Sequence, residues 1–241
     1  MAEESHWWYL GMAAITKEIL ETFCPSRRNL RILDAGCGTG GGMLFLSQYG
    51  TVTGIDVSPH SIHYCLRRGC RTLARASVMA LPFPDESFDL VTSFDILYFE
   101  DIRDEQALQE SARVLTPGGR ILIRVPAFDW LRGVHDIRVS TGHRYTLPEL
   151  KKKLEQSGLR VEFANYANTL LFPLVVLKRF SENFIPTQRN SDISIDAGCV
   201  GNLFKKCLVF ESRLITKCRF PFGVSIFALA RKEIRGGFVK T

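Results

Sequence analysis

An apolar run, Leu30-Arg31-Ile32-Leu33, leads into Asp34-Ala35-Gly36-Cys37-Gly38-Thr39-Gly40, and the next apolar run ends on Asp56. Nothing else in the 241-residue chain restricts its fold so tightly. The first run reads as a buried strand. The alternating glycines Gly36, Gly38 and Gly40 then let the backbone turn sharply and approach a ligand before a helix that begins near Gly41. A second strand over residues 51–56 carries Asp56 at its end, placed to accept hydrogen bonds from both hydroxyls of a ribose. Strand, glycine turn, helix and strand make up the repeating unit of a doubly wound sheet with a nucleotide site at its carboxyl edge.

The spacing of the glycines disfavours one class of ligand. A pyrophosphate site carries G-x-G-x-x-G, so that amides and the helix dipole face two phosphates. Here the glycines alternate behind the acidic Asp34, which repels phosphate and favours a ligand whose far end carries an ammonium and a sulfonium.

These residues resemble the first motif of the class I S-adenosylmethionine-dependent methyltransferases. Residues 76–91 (ASVMALPFPDESFDLV) are similar to the segment in which such enzymes hold the adenine and begin the fourth strand, and residues 113–123 (RVLTPGGRILI) resemble the family's helix, Pro-Gly-Gly turn and fifth strand. The resemblance implies S-adenosyl-L-methionine as cofactor. It places Asp34 toward the amino group, Gly36, Cys37, Gly38 and Gly40 along the methionine and ribose, Asp56 and Val57 at the ribose, and Ser77, Val78 and Met79 at the adenine. Phe94 becomes a wall of the site and Tyr9 a donor near its amino-acid end. Two departures stand out: Ser77 replaces an Asp common in the family, and Leu10 and Met12 stand where arginines are expected, leaving the methionine carboxylate to other groups.

The implied fold is α/β: a doubly wound, seven-stranded, mostly parallel sheet whose last strand runs antiparallel, with a helical cap between the last two strands. One domain is expected, with an opening helix in residues 1–28, a cofactor-binding core over 29–167, a cap and acceptor region over 168–221, and a final strand and tail over 222–241. In the opening segment, Trp8, Met12, Ile15, Ile19 and Phe23 fall at helical spacing. Within the cap, residues 168–179 and 203–215 each carry one broad apolar face beside Lys178, Arg179, Lys205, Lys206, Arg213 and Lys217. Packing of these faces onto the sheet or onto a twin subunit in a homodimer is the ordinary account. Contact with a membrane surface is the alternative.

With 46% hydrophobic and 23% charged residues the chain can bury a sizeable core. Its longest apolar stretch, residues 170–177 interrupted by Pro173, is too short to span a bilayer, and the start carries Glu3 and Glu4 rather than a basic segment before an apolar one, so a cytoplasmic enzyme is expected. The seven cysteines include no C-x-x-C pair and no paired His spacing, which predicts reduced thiols and no metal. A net charge of +6 is moderate, and Lys151-Lys152-Lys153 reads as a solvated helix face, so no nucleic-acid partner is expected.

The expected reaction is methyl transfer to an oxygen, nitrogen or carbon atom of a small-molecule acceptor, a natural product or a lipid-linked metabolite. A methyltransferase of RNA or protein, a non-catalytic S-adenosylmethionine-binding subunit and a nicotinamide-dependent oxidoreductase are the alternatives. Because methyl transfer is an in-line displacement, positioning does most of the work and a proton acceptor assists. The candidates lie after the fourth and fifth strands. They are His143 and Tyr145 in the Gly142-His143-Arg144-Tyr145 stretch of the second loop, with Asp95 in the first loop and His135 and Asp136 ranked below them.

Overall fold

The structure, a computed structural model, describes residues 6–24, 29–133, 136, 140–184 and 199–234. His135, Glu3 and Glu4 lie outside the described residues. The elements follow in the order α1 (Trp7–Phe23), β1 (Leu30–Ala35), α2 (Gly41–Leu46), β2 (Gly50–Asp56), α3 (Pro59–Arg67), β3 (Leu73–Arg75), β4 (Phe88–Phe94), α4 (Asp104–Val114), β5 (Leu115–Pro126), α5 (Leu147–Gln156), β6 (Leu159–Ala167), α6 (Phe172–Phe184), α7 (Cys199–Ser212) and β7 (Ser225–Lys232).

The strands form one seven-stranded sheet in the order β3-β2-β1-β4-β5-β7-β6. The first five are parallel, and β7 runs antiparallel between β5 and β6. The doubly wound, mostly parallel sheet read from the sequence is therefore present. Its order reverses between β1 and β4, and in sheets of this kind a ligand crevice opens at such a switch point, beyond the carboxyl ends of the strands.

Each face of the sheet is covered by its own helices. On one side Ala107 and Leu108 of α4 and Leu150 and Leu154 of α5 pack with Val91, Ile121 and Ile123. On the other, Met12, Ile15 and Ile19 of α1 and Leu208 of α7 pack with Ile32, Leu90, Leu122 and Phe227. Burial on both faces explains the consecutive apolar residues at the centres of these strands, Ile32-Leu33 in β1, Leu90-Val91 in β4 and Ile121-Leu122-Ile123 in β5. Helix α1 starts where the His6 ring accepts the Trp8 N–H at 3.2 Å, and the buried Met12, Ile15 and Ile19 carry its inward stripe.

Helices α6 and α7 fall in the connection between β6 and β7, where they differ in detail from the sequence expectation. Asn168 takes a left-handed backbone, φ 60°, and the buried Glu211 carboxylate of α7 accepts the N–H groups of Asn168, Thr169 and Leu170. With those groups held by a side chain, the helix expected from residue 168 begins only at Phe172, with Pro173 in its first turn. Burial raises the pKa of Glu211 against the pull of these N–H groups. Asn165 of β6 adds a second tie: its Nδ2 donates to the Ile215 and Cys218 carbonyls, and its Oδ1 accepts the Phe220 N–H. Helix α7 crosses α1 closely because Gly11 has no side chain; a Cβ there would stand 2.3 Å from Leu208 Cδ1. The Pro-Gly-Gly segment is another difference, since it is an irregularity inside β5 rather than a turn before it: Phe88 pairs with Leu115 but Leu90 with Arg120.

Candidate active site

The glycine turn forms as its sequence dictates. Gly36, Gly38 and Gly40 all have left-handed backbones, with φ of 85°, 52° and 89°. At Gly36 the restriction is double, since a Cβ would also meet Ile96 Cγ1 at 2.3 Å. The turn is fastened to β2 by Gly36 and Cys37, whose N–H groups both donate to the Ile55 carbonyl. Asp56 then braces it: Gly38 N–H donates to Asp56 Oδ2 at 3.0 Å and Ser58 N–H to Oδ1 at 2.8 Å. Both carboxylate oxygens are oriented this way and keep further lone pairs.

The turn edges a cavity of about 830 Å³, within the usual size of small-molecule sites. Tyr9, Asp34, Gly36, Cys37, Gly38, Asp56, Val57, Val78, Phe94 and Asp95 line it, so most of the sequence-predicted residues are brought together. Leu10 and Met12 are also in its wall. Gly40, Ser77 and Met79 are not. Gly40 is the N-cap of α2, while Ser77 Oγ accepts the Met79 N–H at 3.2 Å and so closes its own turn. Met79 Sδ in turn accepts the Arg103 N–H. At this wall the groups presented to the cavity belong to Ala76 and Val78.

Asp34 is 3% exposed and accepts the Thr92 hydroxyl at 2.8 Å. Burial pushes its carboxyl up to about 6, while Thr92 and then Arg124 pull it down and Asp56 pushes it up again. A carboxylate so placed gains from a cation in the cavity. Cys37 is buried with its Sγ 3.8 Å from Cys65 Sγ, and burial followed by its neighbours raises its thiol far above the ordinary value, which disfavours a nucleophilic role.

A second cavity of about 420 Å³ adjoins the first, and Tyr9 and Asp95 line both. Trp7, Trp8, Leu171, Val175 and Phe204 give it apolar walls; Asn168, Lys178 and Arg179 supply polar groups. At the shared boundary Asp95 follows directly on β4 with a φ of 57°, and its N–H donates to the Arg124 carbonyl at 2.9 Å. Arg124 Nε and Nη2 both donate to Asp95 Oδ2, at 2.8 and 2.5 Å. The guanidinium also lies over the Phe94 ring, 5.2 Å from its centre. Sequence reading missed Arg124 and Asn168. The signal for Arg124 was a lone charge within the otherwise apolar stretch Ile121–Val125 of a strand buried on both faces.

The loop after β5 places its candidates elsewhere. Tyr145 is 1% exposed and donates its hydroxyl to the Leu97 carbonyl at 3.0 Å and to Asp104 Oδ2 at 2.8 Å. Burial first, then Asp104, pushes its phenol well above the ordinary value. His143 Nε2 lies 2.7 Å from Glu149 Oε1 and Nδ1 lies 3.1 Å from Asp129 Oδ2, and His143 lines neither cavity. The structure does not bring these two residues to either cavity, contrary to the expectation: their polar atoms hold the loop. Arg144 completes the latch, since its Nη1 donates to both oxygens of Asp136 at 2.9 and 3.0 Å and its Nε to the Ala127 carbonyl. Of the candidates, Asp95 stands at the boundary of the cavities and Asp136 in the wall of the second.

Among the described residues, no group of three or more His, Cys, Asp or Glu side chains is placed to hold a metal, and no helix is long and apolar enough to cross a membrane. Comparison with known proteins gives consistent results. A methyltransferase domain family matches residues 33–123. The chain is 33% identical over 171 residues to O-methyltransferase rstn1 of Aspergillus nomiae, a match that covers 64% of this chain and 75% of that protein. It is 32% identical over 137 residues to the fatty-acid O-methyltransferase of Mycolicibacterium smegmatis, covering 54% of this chain and 44% of the relative. The first curated relatives it matches are longer proteins, of which the chain spans between 22% and 44%. In fold it resembles the phosphoethanolamine N-methyltransferase 2 of Haemonchus contortus, solved in complex with S-adenosyl-L-methionine, with a TM-score of 0.59 at 19% identity over 90% of this chain and 52% of that one. Sheet order, glycine turn, carboxylate-tipped β2 and sequence kinship agree: the chain belongs to the class I S-adenosylmethionine-dependent methyltransferases.

Proposed function

We propose that the larger cavity holds S-adenosyl-L-methionine and that the smaller one holds the methyl acceptor, a small amphiphilic molecule. The observation that carries this reading is the meeting of the two cavities at Tyr9 and Asp95. A methyl group held at that boundary would lie next to an acceptor while the walls on either side exclude water.

The residues present fit the cofactor. Gly38 has no atom within 4 Å of where a Cβ would stand, so the turn leaves open space for a ribose beside Asp56. Asp34 offers a buried carboxylate to the ammonium, Val78 a backbone N–H to the adenine, and Phe94 a flat wall. With Leu10 and Met12 apolar, Tyr9 and Arg124 are the donors we assign to the methionine carboxylate. When bound, the cofactor supplies an electrophilic methyl for in-line displacement by an oxygen, nitrogen or carbon atom of the acceptor. Asp95, with Oδ2 held by Arg124, keeps Oδ1 to orient the acceptor or take its proton.

The walls Trp7, Trp8, Leu171, Val175 and Phe204 fit an apolar body, with Lys178 and Arg179 near a polar or anionic head. The fatty-acid acceptor in the name of the mycobacterial relative supports this class. The test is calorimetric titration with S-adenosyl-L-methionine, followed by extracts of metabolites and lipids incubated with methyl-labelled cofactor. Asp56→Ala should weaken cofactor binding at least on the order of a hundredfold, since two charge-assisted hydrogen bonds are lost. Label in a small amphiphile supports the reading. Unchanged binding in that variant, or label found only in RNA or protein, overturns it, as does binding without turnover on any extract.

A further inference from the structure

Helices α6 and α7 leave large apolar side chains in water. Leu170, Leu174, Leu177 and Phe180 are 46, 50, 66 and 56% exposed along or just before α6, and Val200, Leu203 and Phe210 are 51, 57 and 55% exposed on α7. Within α6 the 174, 177, 180 spacing puts Leu174, Leu177 and Phe180 in a stripe along one side of the helix, with Leu170 just before it. Leu174 belongs both to this stripe and to the wall of the second cavity, and Phe204 of α7 lines the same cavity, so apolar surface borders its mouth. At the start of α6 the surface continues through Phe172 to Phe222 and Trp130, with ring centres 4.9 and 5.9 Å away.

The exposed charges among the described side chains of α6 and α7 share one sign. Among the described side chains of α6 and α7, Lys178, Arg179, Lys205 and Lys206 reach the surface, and Arg213, Lys217 and Arg219 follow α7 in exposed positions. The acidic Glu211 is 0% exposed and is engaged by backbone N–H groups. A second copy of the chain seated on these faces would bring lysine against lysine, in a molecule of net charge +6. An anionic bilayer offers what both features need: a hydrocarbon boundary for the stripe and headgroup charge for the lysines.

We infer that the apolar faces of α6 and α7 dock on an anionic lipid surface, with the mouth of the second cavity turned toward it. An amphiphilic acceptor then passes from the lipid into the cavity without crossing bulk water. This rests on reading the second cavity as the acceptor's.

Flotation of the full chain with vesicles of phosphatidylcholine mixed with phosphatidylglycerol, and with pure phosphatidylcholine, tests the docking. The chain should float with the anionic vesicles and be released by salt. The double variants Leu177→Asp with Phe180→Asp, and Lys205→Glu with Lys206→Glu, should each reduce vesicle binding roughly tenfold or more. Calorimetry with S-adenosyl-L-methionine reports whether each variant is folded, since none of the four residues lines either cavity. Wild-type chain that stays with the soluble fraction, or variants that float as well as wild type, would overturn the docking. So would sedimentation showing a dimer that Leu177→Asp with Phe180→Asp converts to monomer. Turnover of a detergent-dispersed acceptor separates the two claims: retained turnover without flotation sinks the docking alone, and loss of cofactor binding in the wild-type chain sinks the site reading.

Discussion

Asp34 is a carboxylate whose ionised form is disfavoured by burial, with a pKa pushed up to about 6. The folded chain without ligand therefore holds a proton there that the unfolded chain releases from about pH 4 upward. That contribution to stability is present at low pH and is lost as pH rises through about 6. On the proposed reading, cofactor binding should have the opposite preference, because an ammonium in the cavity would pair with the ionised form. Affinity for S-adenosyl-L-methionine should fall by up to about tenfold per pH unit below 6, with proton release on binding, and Asp34→Asn should remove the dependence. Calorimetry in buffers of different ionisation enthalpy measures both effects. His143 makes the contrasting case. With its two nitrogens facing Glu149 and Asp129, His143→Ala should cost about 1 kcal/mol in a denaturant titration and leave kcat unchanged. Asp34 and Asp56 were legible in sequence because a glycine turn between two strands fixes where its flanking residues must point. His143 and Tyr145 were not, because residue type reveals titration near neutrality but not which way a loop side chain faces.

Local patterns alone set most elements. Helix α1 spans Trp7–Phe23 as its apolar spacing requires, and helices join the first five strands except between β3 and β4, where residues 76–87 form turns instead. Departures occur where a distant side chain competes with local preference: Glu211, 41 to 43 residues away in sequence, takes the N–H groups that would have begun α6. No reading of residues 168–170 by themselves would show it. The crossing of α1 and α7 depends on Gly11 in the same non-local way. Gly11→Ala would place a Cβ 2.3 Å from Leu208 Cδ1 and 2.7 Å from Leu208 Cβ; a rotamer change relieves the first contact, but the second moves only if the helices shift apart. A destabilisation of about 1–3 kcal/mol is expected from urea titration. Because Tyr9 and Met12 of α1 line the larger cavity, cofactor affinity should weaken along with it, whereas a purely local defect would leave binding intact.

The larger cavity draws its walls from α1, the glycine turn and the ends of β2, β4 and β5, and the smaller draws from α1, the loop after β5, α6 and α7. A ligand in the first should therefore stabilise the molecule as a whole, and a change in the second should leave that stabilisation untouched. At a hundredfold excess over Kd the cofactor adds about 2.7 kcal/mol. For a chain of this size that corresponds to a rise in Tm of roughly 5–10 °C. Leu174→Trp tests the division of labour. Leu174 is half exposed at the rim of the second cavity and lines no part of the first, so the larger ring can fill the mouth without straining the core. The variant should keep the full rise in Tm with S-adenosyl-L-methionine and lose most of its turnover through a raised acceptor KM. A lost Tm shift would mean that the two cavities are one site, and unchanged kinetics would mean that the acceptor enters elsewhere.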